Sequence, residues 1–245
     1  MTTNDRKDVH NSSVPNLCQN CEARHRGICG VLSENELLEL SKSSRQVTRK
    51  SGEKLINDAD PIQSYASVMR GVVKLSKILE DGRQQVVGLQ FAPDFLGRLY
   101  GRESNLNADA ASDVELCRMP KSTVEALVAH NPALEGRLLE QTLRELDEAR
   151  EWMVTLGRKT ANEKVASFLY LIATHEDPTH NDISISFDLP LTRADIADFL
   201  GLTIETVSRQ FTKLRKSEVI VIKNHRHIEV PNTEKLRRAC GYGAS

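Results

Sequence analysis

The chain lacks any hydrophobic run long enough to cross a membrane. Nothing in its 245 residues approaches the ~18 consecutive apolar positions that a spanning helix needs. The opening stretch, MTTNDRKDVHNSSVPN, is polar and has no apolar core, which excludes a secretion signal. A cytoplasmic location is the expectation. Enzyme signatures are missing as well: no nucleophile–base pair, phosphate-cradling loop or paired carboxylates stand in a recognisable setting. Aromatic residues are few, at 4 %, and the net charge is only −1. What remains, 39 % hydrophobic and 27 % charged residues, is the composition of a globular protein with room for one large domain or two small ones.

The most informative stretch runs from Pro190 to Arg215. Ile196, Phe199 and Leu200 share one face of a short helix, and Gly201 follows where a chain can turn with positive φ. Thr203 is placed to cap a second helix, with Thr206 three residues on. Val207, Phe211 and Leu214 form the apolar stripe of that helix. This pattern predicts a helix-turn-helix. The outward face of the second helix carries Glu205, Ser208 and Arg209. Arg can donate two bonds to guanine, Glu can accept from cytosine, and Ser can do either. Val219 to Val221 and His227 to Val230 read as a β wing around Asn224-His225. From Arg193 to Arg238 there are ten Lys/Arg against six Asp/Glu, a modest basic footprint for double-stranded DNA. A polar αα-hairpin is the competing reading.

Cysteines are scarce, and of the five, three lie close together near the N-terminus: Cys18, Cys21 and Cys29. In a reducing compartment such clustering points to metal ligation rather than disulfides. A fourth ligand is required, and Cys117 is the best placed. Four thiolates suit either an iron–sulfur cluster or tetrahedral Zn²⁺. Spacing alone leaves both open, together with redox thiols.

TRADIADFLGLTIETVSR resembles the DNA-binding helices of the Crp/Fnr family of bacterial transcription regulators. Glu205, Ser208 and Arg209 match the E-x-x-S-R pattern of its Fnr-type branch. The resemblance covers nearly the whole chain. It implies an α+β fold class: an N-terminal cyclic-nucleotide-binding-like β-roll, a long dimerisation helix and a C-terminal winged helix-turn-helix. It also implies that Cys18, Cys21, Cys29 and Cys117 hold a [4Fe–4S] cluster, that oxygen is the signal, and that the partners are DNA, a second copy of the chain and RNA polymerase. Palindromic TTGAT-type half-sites are the expected targets. In one departure, the stretch between Cys21 and Cys29 is longer than in the best-known members, although lengthening a loop costs little. Within it, Arg24, His25 and Arg26 either form a solvated basic loop or partly offset the negative charge of a cluster, and Ile28 either shields the cluster or packs on the β domain.

The resulting divisions are a disordered tail (1–16), a cysteine-rich loop (17–30), a β-roll (31–130), a dimer helix (131–160) and a DNA-binding domain (161–245). In the second division after the tail, Ser33 and Glu36 form a capping box. Tyr65–Met69, Val72–Ile78 and Gln85–Gln90 read as strands, with a hairpin at Asp81-Gly82. Gly52, Gly71, Gly82, Gly88 and Gly97 read as turns. Cyclic-AMP-binding relatives use a Gly-Glu dipeptide and an Arg-Ser pair. Here Gly97 precedes Arg98 and no such pair precedes Asp113, so no cyclic AMP is expected.

Asn131-Pro132 starts the long helix. Leu139, Thr142, Leu146, Ala149, Met153 and Leu156 read as an a/d seam for a parallel dimer, with Glu145 and Arg150 set to pair across it; the competing reading is a helix packed on its own β domain. Where the best-known relative has a self-repelling aspartate on the seam, this chain has Ala149, so cluster-free protein is expected to dimerise readily. Val165, Phe168, Leu169 and Ile172 form the stripe of a following helix, and Ser184 to Leu189 can add a strand. No role is assigned to Cys240. A zinc-stabilised interaction module, or a regulator of the same fold gated by another small ligand, is the alternative reading.

Overall fold

The computed structural model describes residues 14–19, 21–176, 183–224 and 226–241. The expected tail therefore falls almost wholly outside the described residues, as do His225 of the wing turn and most of the loop before residue 183. The chain divides into two compact units, Met1–Lys77 with Gly88–Leu146 and Ile78–Val87 with Asp147–Ser245.

The first unit opens with helical turns rather than the loop expected for 17–30: α1 (Asn16–Gln19), α2 (Glu22–Arg26) and a 3-10 turn at Ile28–Val31. Local backbone bonds explain the difference, since Gly27 N donates to Ala23 O at 2.8 Å and closes α2. The next helix, α3 (Glu34–Ser43), starts at the expected capping box, Ser33 accepting from Glu36 N while Glu36 accepts from Ser33 N. Such a cap stabilises a helix by about 1 kcal/mol.

The strands are β1 (Arg45–Arg49), β2 (Lys54–Ile56), β3 (Ser64–Arg70), β4 (Val72–Ile78), β5 (Gln84–Phe91), β6 (Phe95–Leu96), β7 (Asn107–Ala110) and β8 (Val114–Pro120). They form two sheets, in the orders β1-β8-β3-β6 and β2-β7-β4-β5. Both sheets contribute to one core of Ala66, Val68, Val73, Leu96, Ala108, Ala110, Val114 and Leu116. Four of the five expected glycine turns have positive φ; Gly88 instead lies inside β5. Short helix α4 (Lys121–His130) leads to α5 (Pro132–Arg158). Asn131 caps α5, its side-chain oxygen accepting from Leu134 N at 3.0 Å.

In the second unit, α6 (Ala161–Glu176) buries the predicted Val165, Phe168, Leu169 and Ile172. There follow β9 (Ile185–Asp188), α7 (Arg193–Leu200), α8 (Ile204–Lys216), β10 (Val221–Lys223), β11 (His227–Val230) and α9 (Thr233–Ala239). The added strand is real: β9 pairs with β11, completing the sheet β10-β11-β9. The strand expected at Val219–Val221 begins only at Val221. Val219 N donates back to Leu214 O at 3.0 Å, and Val219 and Ile220 are buried under α8. Cys240 is buried at the end of α9, its thiol donating to Leu236 O at 3.2 Å. Among the described residues no helix is long and apolar enough to cross a membrane.

Gly97 has φ +144°, and a Cβ there would lie 2.4 Å from the Tyr65 ring. That ring cannot retreat freely, because its hydroxyl donates to Glu125 at 2.8 Å. Gly97→Ala is expected to cost at least about 1–3 kcal/mol in backbone strain alone, to be read as a lowered midpoint in urea unfolding.

Candidate metal centre and nucleic-acid interface

Strand β8 is covered on both faces, which decides where Cys117 goes. Val114 and Leu116 enter the core between the sheets. With a period of two, Cys117 and Met119 face the other way, into a second core. That core is built from Ile28, Leu32, Leu37, Leu40, Tyr65, Phe95, Val124, Val128, Leu134 and Leu138, with Cys29 and Cys117 packed against it. Ile28 is only 2 % exposed, so it packs on the β domain. Cys29, a sequence neighbour of Ile28, and Cys117, far along the chain, thus share one neighbourhood.

The electrostatics bring in the other two thiols. Burial pushes the Cys29 thiol far above its ordinary range, and Cys117, Cys18 and Cys21 raise it further. Burial pushes Cys117 up to about 12, with Cys18 and Cys21 adding to the shift and a hydrogen bond with Ser44 opposing it. Cys18 is raised by burial and then by Cys21. All four thiols therefore feel one another. Arg24 opposes the rise at both Cys18 and Cys29, and it is itself buried, at 7 % exposed. Of the three loop cations it alone is buried, whereas His25 and Arg26 are exposed.

As donors, four soft thiols beside a buried cation fit a thiolate-ligated centre: iron or zinc would supply the positive charge needed to keep four partly buried sulfurs ionised. The side chains share a neighbourhood without closing on a point. Among the described residues, no three His, Cys, Asp or Glu side chains are gathered as around a metal ion.

The second site is the outer face of α8. Thr192 and Asp195 form a capping box on α7, and Gly201 ends that helix at φ +61°, in the left-handed region. Thr203 then caps α8, accepting from Thr206 N at 3.2 Å. Val207, Phe211 and Leu214 are buried, while Glu205, Ser208 and Arg209 are all exposed. Hydrogen bonds from its own backbone amide and from Thr203 hold the Glu205 carboxyl below its usual range, so it stays an acceptor. Arg193 is not among the residues predicted to matter here. Its guanidinium lies 3.4 Å from the centroid of the Phe211 ring, a cation–π contact that joins α7 to α8. Burial lowers its pKa to about 10.

On α5, Leu139, Leu146 and Met153 of the predicted seam are 58 %, 43 % and 72 % exposed, and Thr142 and Ala149 are exposed too. Leu156 is half-buried. Glu145 and Arg150 have partners in their own chain: Glu145 accepts from Gln141 at 2.9 Å, and Arg150 donates to Asp147 at 3.1 Å. A cavity of about 230 Å³ in the β-roll is lined by Gly97, Arg98, Arg118 and Gln90 among others.

Residues 163–239 match the Crp-like helix-turn-helix domain, and residues 46–131 match the cyclic nucleotide-binding domain. A probable transcriptional activator of Rhizobium leguminosarum bv. viciae is 52 % identical, over 95 % of this chain and 97 % of its own. The transcriptional activator FnrL of Cereibacter sphaeroides is 39 % identical over 94 % of each chain. The solved structure of FixK2 from Bradyrhizobium japonicum superposes with a TM-score of 0.73 at 29 % identity, covering 82 % of this chain and 99 % of that one.

The raised thiols have a direct consequence for metal-free protein. Cys29 and Cys117 are expected to alkylate more slowly than exposed model thiols at pH 8, the Cys117 rate climbing toward about pH 12. Because the folded pKa of Cys117 exceeds the ordinary 9.0, the associated stability is complete below that pH and is lost as pH rises toward 12. Time-resolved iodoacetamide labelling and unfolding at stepped pH check both.

Proposed function

The chain belongs to the Crp/Fnr family of transcription regulators, and we propose that it is the oxygen-responsive, iron–sulfur type, a homodimer that binds palindromic TTGAT-type sites when oxygen is absent. The single observation that carries this reading is the shared neighbourhood of Cys18, Cys21, Cys29 and Cys117. Relatives named FnrL, FixK and fumarate and nitrate reduction regulatory protein support it.

In this reading the four cysteines would hold a [4Fe–4S] cluster, which supplies an oxygen-labile crosslink between the N-terminal turns and β8. The chain's own residues do the rest. Cys29 and Ile28 fix the 3-10 turn to the core that also contains Leu134 and Leu138 of α5. The opposite face of α5 presents Leu139, Leu143, Leu146 and Met153 to a second copy. Oxygen then acts as a population shift between arrangements of the turns and of α5. Glu205, Ser208 and Arg209 read base edges, while Lys213, Arg215 and Lys216 in the last turn of α8 lie where phosphates would be met. Neither cyclic AMP nor a membrane enters this scheme; the protein acts in the cytoplasm and contacts RNA polymerase once bound to DNA.

Protein purified without air is expected to be brown and to contain iron and sulfide, and Cys117→Ser is expected to lose both. Colourless anaerobic protein that still binds its operator at full strength would overturn the reading. Arg209→Ala is expected to weaken operator binding by about 1–3 kcal/mol and to relax preference at one base pair, measured by mobility shift across single-base variants of the site.

A further inference from the structure

Arg137 lies on α5 one residue before Leu138, which belongs to the core shared with Ile28. Its Nη2 donates to the carbonyl oxygen of Arg26 at 2.7 Å, a contact between residues 111 positions apart. Arg26 is the last residue of α2, so this carbonyl is one that no further helical turn satisfies. A cation there also meets the negative end of the helix dipole. The other arm of the guanidinium is oriented by Glu140, at 3.5 Å. The Arg137 side chain is 30 % exposed, and the bond lies at the surface.

The residue after this carbonyl is closely packed. At the next residue, Gly27, a Cβ would come within 2.9 Å of Ala23 O and 3.1 Å of Pro93 O. Backbone of Ala23 and of Pro93 therefore lies close against Gly27. Beyond Gly27 come Ile28, locked in the core, and Cys29.

From this geometry we infer that Arg137 is a positioning residue that ties the segment between Cys21 and Cys29 to the long helix. The placement of Cys29 and the placement of α5 are thereby a single coupled variable. The assignment rests on the proposed function for its physiological meaning, and it gives that function a mechanical route. Whatever gathers or releases the thiols pulls on α2, and this charged hydrogen bond, laid over the shared core, passes the pull from α2 to α5. Coupling is reciprocal, so pairing of α5 with a second copy also holds the Cys29 turn in place.

The test uses full-length cluster-free protein with Arg137→Ala and Arg137→Lys. Hydrogen exchange is followed at Ala23–Leu32, whose amides at Gly27, Gly30 and Leu32 are internally bonded. Loss of a charged donor is expected to speed exchange there about tenfold in Arg137→Ala, with exchange elsewhere in α3 to β8 unchanged. Arg137→Lys, which keeps a cationic donor, is expected to restore most of the protection. Equal exchange in the parent and Arg137→Ala overturns the assignment. So does failure of Arg137→Lys to rescue a variant that is loosened throughout, because that marks a general packing defect. In anaerobically loaded protein, sedimentation is expected to show that loading shifts the monomer–dimer balance less in Arg137→Ala than in the parent. A parent without iron or sulfide would sink the cluster reading, yet the exchange experiment would still decide the tie.

Discussion

Ile28 and Leu32, Met119 and Tyr65, and Leu134 and Leu138 belong to a single apolar core. Most of the first unit's organisation follows from keeping that core dry. It is assembled from segments far apart in the chain: the 3-10 turn that carries Cys29, the strand that carries Cys117, and the start of the long helix. None of these can shift alone without exposing side chains that the others cover. Burying one Leu or Ile is worth about 1.5–3 kcal/mol, so the joint constraint outweighs any single hydrogen bond laid over it. The polar contacts, Asn131 to Glu36 at 2.8 Å and Arg137 to Arg26 O at 2.7 Å, set direction rather than supply the main stability.

Against this background the cysteines are chemically strained. Thiols prefer to stay protonated when burial and mutual repulsion act together, as at Cys29 and Cys117. An ionised buried group is tolerated only with compensation. Arg24 offers part of it from a buried position, and a bound cationic centre would offer the remainder. A site of this kind is poised, because its most favourable charge state depends on what occupies it.

The DNA-reading unit has the opposite character. α8 is strongly two-faced: Val207, Phe211 and Leu214 are sealed inside, and every predicted base-reading residue is outside. The helix is held by caps at Thr192 and Thr203, by the left-handed Gly201, and by Arg193 stacked on Phe211. Trp152 lies against Phe199 of α7 with ring centroids 4.4 Å apart, so the C-terminal half of α5 belongs to this unit's packing. These contacts all lie within the unit itself.

This difference marks what could be read in advance. The residues alone determined the helices with clean caps, the hairpin at Asp81-Gly82, the two-faced α8 with Glu205, Ser208 and Arg209, and the candidate set of thiols. The helices and the hairpin rest on periodicity, caps or turn residues within a few positions, and the thiols on residue type and clustering. The tertiary structure decided which face of β8 Cys117 takes, that Arg24 is buried while Arg26 is not, that Val219 and Ile220 fold under α8 before the wing begins, and that Glu145 and Arg150 are engaged within their own chain. It also supplied Arg137, whose partner lies 111 residues away. Local order is written in neighbouring side chains, whereas contacts across the core depend on how separately formed pieces close over a shared apolar volume, and no short stretch of sequence contains that closure.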